Sequence, residues 1–104
     1  MLKDTVSRFQ PTIKERIRQR RSQMLVHSYL YYVKGESIVS DDTWQKWANE
    51  LAELQRENPF DCNIDFYDKE FSDWSGDSGF KLPLKDPKVI KKAEYIYKIS
   101  EEKK

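Results

Sequence analysis

The sequence predicts a small, mainly α-helical protein: an antiparallel helix hairpin plus a C-terminal helix, connected by an aromatic and glycine-rich loop. Three observations support this class. Two stretches with helical apolar spacing are joined by a short connection, a third follows an Asp-Pro start signal, and the residues between carry turn signals. At 104 residues the chain has the size of about one domain.

The first predicted helix begins near Pro11 and Thr12, and Gly35 is its predicted stop signal. Its apolar residues fall near helical spacing, and from Met24 to Val33 the helix is apolar on most sides. We therefore expect its C-terminal half to be buried. Residues 1–10 carry no strong pattern and are expected to form a flexible N-terminus.

The second predicted helix starts at Ser40 or Asp41, either of which can cap its first N–H groups. It ends at Asn58-Pro59, since a residue before proline disfavours helix. The short connection to the first helix favours an antiparallel hairpin. An apolar stripe at helical spacing gives this helix a core-facing side, made of Trp44, Trp47, Ala48, Leu51 and Leu54.

Residues 60–85 are less regular, with Gly76 and Gly79 flanked by aromatics. We expect a loop that packs across the hairpin, with room for a short strand. Asp86-Pro87 then predicts the start of the third helix. The predicted organisation is one helical domain over residues 11–99 and a solvated tail over 100–104.

The net charge of +1 conceals an asymmetry along the chain. Residues 1–34 carry +6, residues 35–80 carry −9 and residues 81–104 carry +4. Cys62 is the only cysteine, which excludes an internal disulfide and a CxxC metal site. No apolar run is long enough for a membrane span, and no signal peptide is evident. We expect a cytoplasmic protein that does not contact a membrane.

The sequence lacks the short motifs of common enzymes, including GxGxxG, GxxxxGK[ST], GxSxG and HExxH. His27 is the only histidine, so no metal cluster is predicted. On general grounds a lone helical histidine is more often hydrogen-bonded inside a fold than catalytic.

A set of aromatic, acidic and aliphatic residues runs without a gap across the hairpin: His27, Tyr31, Tyr32, Val33, Val39, Ser40, Asp41 and Trp44, continued by Leu51, Leu54 and Pro59. At these positions the stretch from His27 to Pro59 resembles the N-terminal Ia segment of bacterial NAD⁺-dependent DNA ligases, which holds the nicotinamide mononucleotide half of NAD⁺. It is also similar to small stand-alone ligase-related proteins of phages and prophages.

The resemblance implies roles for individual residues. Tyr31 would face the nicotinamide ring, Trp44 would replace a stacking tyrosine, and Tyr32 would line the pocket. Asp41 would hydrogen-bond a ribose hydroxyl or the carboxamide. Gln45 stands where the family usually has Asp, which makes a neutral or phosphate-bearing ligand more plausible. We also include His27 as a ligand-binding candidate, and Arg20, Arg21 and Lys34 as candidate phosphate contacts.

The sequence has no lysine in a KxDG-type motif, the nucleophile of such ligases, so we expect binding without catalysis and no required cofactor. The first reading is a phage-type protein that sequesters an NAD-derived nucleotide of the nicotinamide or ADP-ribose type, countering a host immune signal. The second is an interaction module that docks on a host protein through the acidic middle segment. The third, nucleic-acid binding through the Arg-rich first helix, is disfavoured by the near-neutral total charge. A further alternative is a homo-oligomer in which a second copy of the chain completes a site that one chain forms only in half.

Overall fold

The computed structural model describes residues 11–103, so the expected flexible N-terminus at 1–10 lies outside the described residues. Within this range the chain is helical and contains no β-strand, which confirms the predicted class. No described helix is long and apolar enough to cross a membrane. The elements are α1 (Ile13–Tyr29), a π-helical turn (Leu30–Lys34), α2 (Asp41–Glu57), a 3₁₀ turn (Pro59–Cys62) and α3 (Pro87–Glu102).

The helix starts follow the sequence signals. Thr12 caps α1 in a capping box, in which its hydroxyl accepts the Glu15 N–H at 3.1 Å and the Glu15 carboxylate accepts the Thr12 N–H at 3.0 Å. Ser40, rather than Asp41, caps α2 with its hydroxyl. Asp86 caps α3 ahead of the proline at the first helical position.

Helix α1 lies at the centre of the fold and packs against both α2 and α3. The hairpin of α1 and α2 supplies most of the core, as the apolar spacing predicts. Phe71 and Leu82 from the irregular segment are also buried, so that segment completes the core. The fully buried apolar side chains are Ile17, Met24, Leu30, Ala48, Leu51, Phe71 and Ala93.

The π-helical turn that continues α1 departs from the expected burial. Burial continues to Leu30, but Tyr31 is 53% exposed and Val33 is 55% exposed. The backbone here forms a π-helical turn, which has more residues per turn than an α-helix. The side chains after Leu30 therefore leave the face that α1 presents to the core. Gly35 ends the turn with φ +73°, a conformation that glycine adopts without a Cβ penalty.

The short strand considered for residues 60–85 does not form. The backbone takes positive φ at Asp65, Tyr67 and Gly76, and each of these residues interrupts an extended conformation. The segment instead consists of turns that cross the hairpin. Helix α3 continues to Glu102, three residues beyond the boundary predicted at 99, and its final residues are exposed to solvent.

Arg21 fastens the irregular segment to the hairpin, although it is 1% exposed. Its guanidinium donates to the Gln55 amide oxygen, to the backbone carbonyls of Cys62 and Phe66, and to the Asp68 carboxylate at 2.7 Å. Burial works to raise the pKa of Asp68, but hydrogen bonds from Arg21 and from backbone N–H groups of the same turn outweigh it. The pKa of Asp68 therefore lies below its usual range.

Candidate functional site

A cavity of about 170 Å³ opens at the connection between α1 and α2. The π-helical turn supplies two tyrosines, the connection supplies a serine, and the first turns of α2 supply the remaining walls. The structure thus brings together five of the six residues that the sequence singled out for ligand binding. The lining residues are Tyr31, Tyr32, Ser37, Asp41, Trp44 and Gln45.

The two tyrosines form one side of the cavity as an edge-to-face pair. Their ring centroids are 4.8 Å apart and their planes cross at 84°. Tyr32 is further held from the irregular segment, because its hydroxyl lies 3.2 Å from the Ser78 hydroxyl and its ring meets Phe80 edge to face at 5.5 Å. These contacts give Tyr32 a fixed orientation, while half of the Tyr31 side chain stays open to solvent.

Trp44 also lines the cavity and is partly buried. Its indole N–H donates to the buried Ser28 hydroxyl at 3.4 Å, and its ring meets Trp74 at 6.3 Å. Gly79 lies directly against Ser28 and Trp44. A Cβ added there would stand 2.8 Å from the Ser28 Cβ and 3.3 Å from the edge of the Trp44 ring. Only glycine allows this close approach.

Gln45 is held in place by the irregular segment. Its side-chain amide donates to the Gly76 carbonyl at 2.8 Å and to the Asn49 side-chain oxygen at 2.9 Å. A carboxylate cannot donate either hydrogen bond. The amide at this position therefore attaches the turn around Gly76 to α2, which gives a structural reason for the departure from the Asp of the ligase pattern.

Asp41 is the single charged side chain among the lining residues of the described chain. The three candidate phosphate contacts do not line the cavity. Arg21 is buried and its guanidinium donates four hydrogen bonds within the fold, so it cannot contact a phosphate, contrary to expectation. Each of the three forms an ion pair instead: Arg20 with Glu50 at 2.9 Å, Arg21 with Asp68 at 2.7 Å, and Lys34 with Glu94 at 2.9 Å.

His27, the sixth predicted ligand residue, does not line the cavity. Its ring packs against Trp47 with centroids 5.4 Å apart, and its Nδ1 is buried without a hydrogen-bond partner in the described chain. Burial lowers the pKa of His27 below its usual value. Trp47 itself is partly buried against the core, in agreement with the role predicted for it.

Sequence reasoning missed Ser37 as a lining residue, and also Ser78 and Phe80, which hold Tyr32. The available signal was the run of aromatics and glycines around residues 71–80, which was assigned to packing across the hairpin but not to the site. Within residues 11–103 no group of three or more His, Cys, Asp or Glu side chains is arranged to hold a metal ion.

Comparison with curated proteins matches part of the chain to DNA ligases. The chain is 38% identical over 47 residues to the DNA ligase of Pseudothermotoga lettingae, and 40% identical over 48 residues to that of Bacteroides fragilis. These matches cover 45% and 46% of this chain but only 7% of each ligase. No family model and no solved structure matches the chain. Slightly less than half of this protein is therefore similar in sequence to a small part of DNA ligases.

Proposed function

We propose that the chain binds the nicotinamide end of an NAD-derived nucleotide in the aromatic cavity without catalysing a reaction. The observation that carries the proposal is the convergence of Tyr31, Tyr32, Asp41, Trp44 and Gln45 on one cavity. Its volume of about 170 Å³ lies below the roughly 300–1,000 Å³ of pockets that enclose a whole drug-sized ligand. The cavity suits one planar ring, with the sugar and phosphates outside it.

The charge distribution supports a cationic ring. Aromatic faces attract a cation through the ring quadrupole, and the negatively charged carboxylate of Asp41 also attracts a cation. No cationic side chain among the described residues lines the cavity to hold a phosphate. Gln45 lines the same cavity without a charge while its amide donates to the Gly76 carbonyl, so Asp41 supplies the negative charge among the described lining residues.

The absence of a KxDG lysine from the sequence supports binding without turnover. The partial similarity to DNA ligases supports a nucleotide of the NAD type as the ligand. A protein that binds such a nucleotide and does not consume it would sequester it. In a phage-encoded protein, sequestration of NAD⁺ would withhold the substrate from which a host immune enzyme makes its signal.

Isothermal titration calorimetry tests the proposal with nicotinamide mononucleotide, NAD⁺, ADP-ribose and cyclic ADP-ribose. We expect binding of the two ligands that carry the cationic ring and weaker or no binding of the other two. Tyr31→Ala and Trp44→Ala should each weaken binding at least about 5-fold, since stacking of a base on an aromatic side chain contributes roughly 1–3 kcal/mol.

Tyr95→Ala is the matched control, because Tyr95 is 63% exposed on α3 and does not line the cavity. It should leave each affinity unchanged. Absence of heat from all four ligands, with a protein shown to be folded by circular dichroism, contradicts the proposal.

A protein-interaction role is the second candidate, favoured by the exposure of the acidic middle segment. Asp41, Asp42, Asp73 and Asp77 are exposed, and none forms an ion pair within the described chain. A partner from host lysate that remains bound to Tyr31→Ala and Trp44→Ala would support this role.

Nucleic-acid binding through the arginines of α1 is less favoured than the number of arginines suggests. Arg20 and Arg21 each form an ion pair within the fold, which neutralises their charge.

A further inference from the structure

Phe80 presents an exposed aromatic ring beside the candidate cavity. It is 69% exposed, whereas Phe71 of the same irregular segment is fully buried. Its ring contacts Tyr32, which lines the cavity. An exposed apolar side chain next to a binding pocket can extend the surface that the pocket offers to a ligand.

The structure holds Phe80 in place on both sides along the chain. Its backbone N–H donates to the Ser78 hydroxyl at 3.1 Å, and the preceding Gly79 is buried against Ser28 and Trp44. Two residues later, the N–H of the buried Leu82 donates to the Gly79 carbonyl at 3.2 Å. The ring therefore projects from an anchored backbone, and ordering it for a ligand costs little.

The contact between Phe80 and Tyr32 leaves ring surface free. The planes cross at 82°, so an edge of one ring meets a face of the other and at most one face of Phe80 is covered. Tyr31, Tyr32 and Phe80 thus form a row of three rings in successive edge-to-face contact. One end of the row lines the cavity, and the other end is open to solvent.

We propose that the free face of Phe80 is a second stacking subsite, which takes the second base of a dinucleotide whose first ring occupies the cavity. This inference rests on the proposed function. Stacking on a phenylalanine face is tolerant of base identity, because every base has a π-face. The protein would therefore favour a dinucleotide over a mononucleotide with the same first ring.

Nicotinamide mononucleotide and NAD⁺ form a suitable pair of probes. Both carry the same cationic ring, and a phosphate monoester has a charge of roughly −1.5 to −2 near neutral pH, close to the two negative charges of the NAD⁺ diphosphate. Repulsion from Asp41 is therefore similar for both, and the second nucleoside is the main difference between them. Calorimetry at one salt concentration should show NAD⁺ binding roughly 5-fold tighter, from the lower end of base–aromatic stacking.

Phe80→Leu tests the subsite, since leucine keeps apolar bulk beside Tyr32 but has no ring face. We expect the ratio of the NAD⁺ affinity to the mononucleotide affinity to fall to about one, because any effect of the altered contact with Tyr32 changes both affinities equally. Phe60→Ala is the control, because Phe60 is 88% exposed and has no ring neighbour in the described chain. It should preserve the preference.

The outcomes separate the two proposals. Equal affinities of the wild-type protein for both ligands, or an equal change in both affinities in Phe80→Leu, overturn the subsite and leave the proposed function standing. Failure of the folded wild-type protein to bind either ligand overturns the proposed function, and the subsite with it.

Discussion

Gly79→Ala should destabilise the protein by about 2–3 kcal/mol through a steric clash alone. The φ of Gly79 is not positive, so alanine meets no backbone strain there. Its Cβ, however, would lie 2.8 Å from the Ser28 Cβ, well inside the roughly 3.5–4.0 Å optimum for two carbon atoms, and closer still to the Ser28 hydroxyl. Overpacking typically costs 1–3 kcal/mol. We expect the upper part of that range because Ser28 is 0% exposed on the central helix and cannot retreat.

Urea unfolding followed by circular dichroism measures this change. Gly35→Ala is the matched control: its added Cβ would meet nothing within 4 Å, and its cost comes only from φ +73°, about 1 kcal/mol. A second control places Gly79→Ala in a Ser28→Gly background. Removing the opposing side chain should reduce the cost of alanine at position 79 to that of the remaining 3.3 Å contact with the Trp44 ring, measured relative to Ser28→Gly alone.

The predicted clash is absent if Gly79→Ala costs less than Gly35→Ala, or if its full cost persists in the Ser28→Gly background. Either result would mean that the turn around Gly79 does not lie against Ser28 as closely as the structure shows. Because Trp44 borders the same glycine, a confirmed clash would also be expected to displace one wall of the cavity.

Two further predictions concern ionisable groups. Asp68→Asn should destabilise the protein by about 3 kcal/mol in urea unfolding, because it leaves the Arg21 guanidinium buried without its counter-charge; a change below 1 kcal/mol would contradict this role. The pKa of His27 is lowered in the fold, so between the unfolded value of about pH 6.5 and the lower pKa of the folded state, the unfolded chain binds a proton that the folded chain does not. Stability should therefore fall with acidification by at most about 1.4 kcal/mol per pH unit from this group, and His27→Gln should remove that component of the slope.

The sequence predicted the helices well because their signals are local. Thr12, Ser40 and Asp86 act as caps, and Gly35 ends the first helical segment, all through contacts with residues a few positions away. Similarly, the apolar stripe of α2 depends only on helical spacing. Such features are contained in short windows of sequence.

The misjudged residues depend on partners far along the chain. The sequence offers Arg21 as a candidate phosphate contact, because the residues that bind its guanidinium in the irregular segment lie 41 to 47 positions further along the chain. His27 shares the helical face expected to meet the ligand, but the ring of Trp47 covers it. The exposure of Tyr31 and Val33 follows from the π-helical turn, which apolar spacing does not reveal. The five cavity residues were found because the ligase pattern joins both ends of a short connection.

The contacts of Arg21 also constrain how the molecule assembles. Its partners lie 34 to 47 residues further along the chain, and the hairpin by itself contributes only Gln55. Until the turn near Asp68 docks, the guanidinium would stay hydrated and hold that part of the helix interface open to water. The portion that resembles a ligase segment therefore reaches its final packing only together with the residues that follow it, as one cooperative unit.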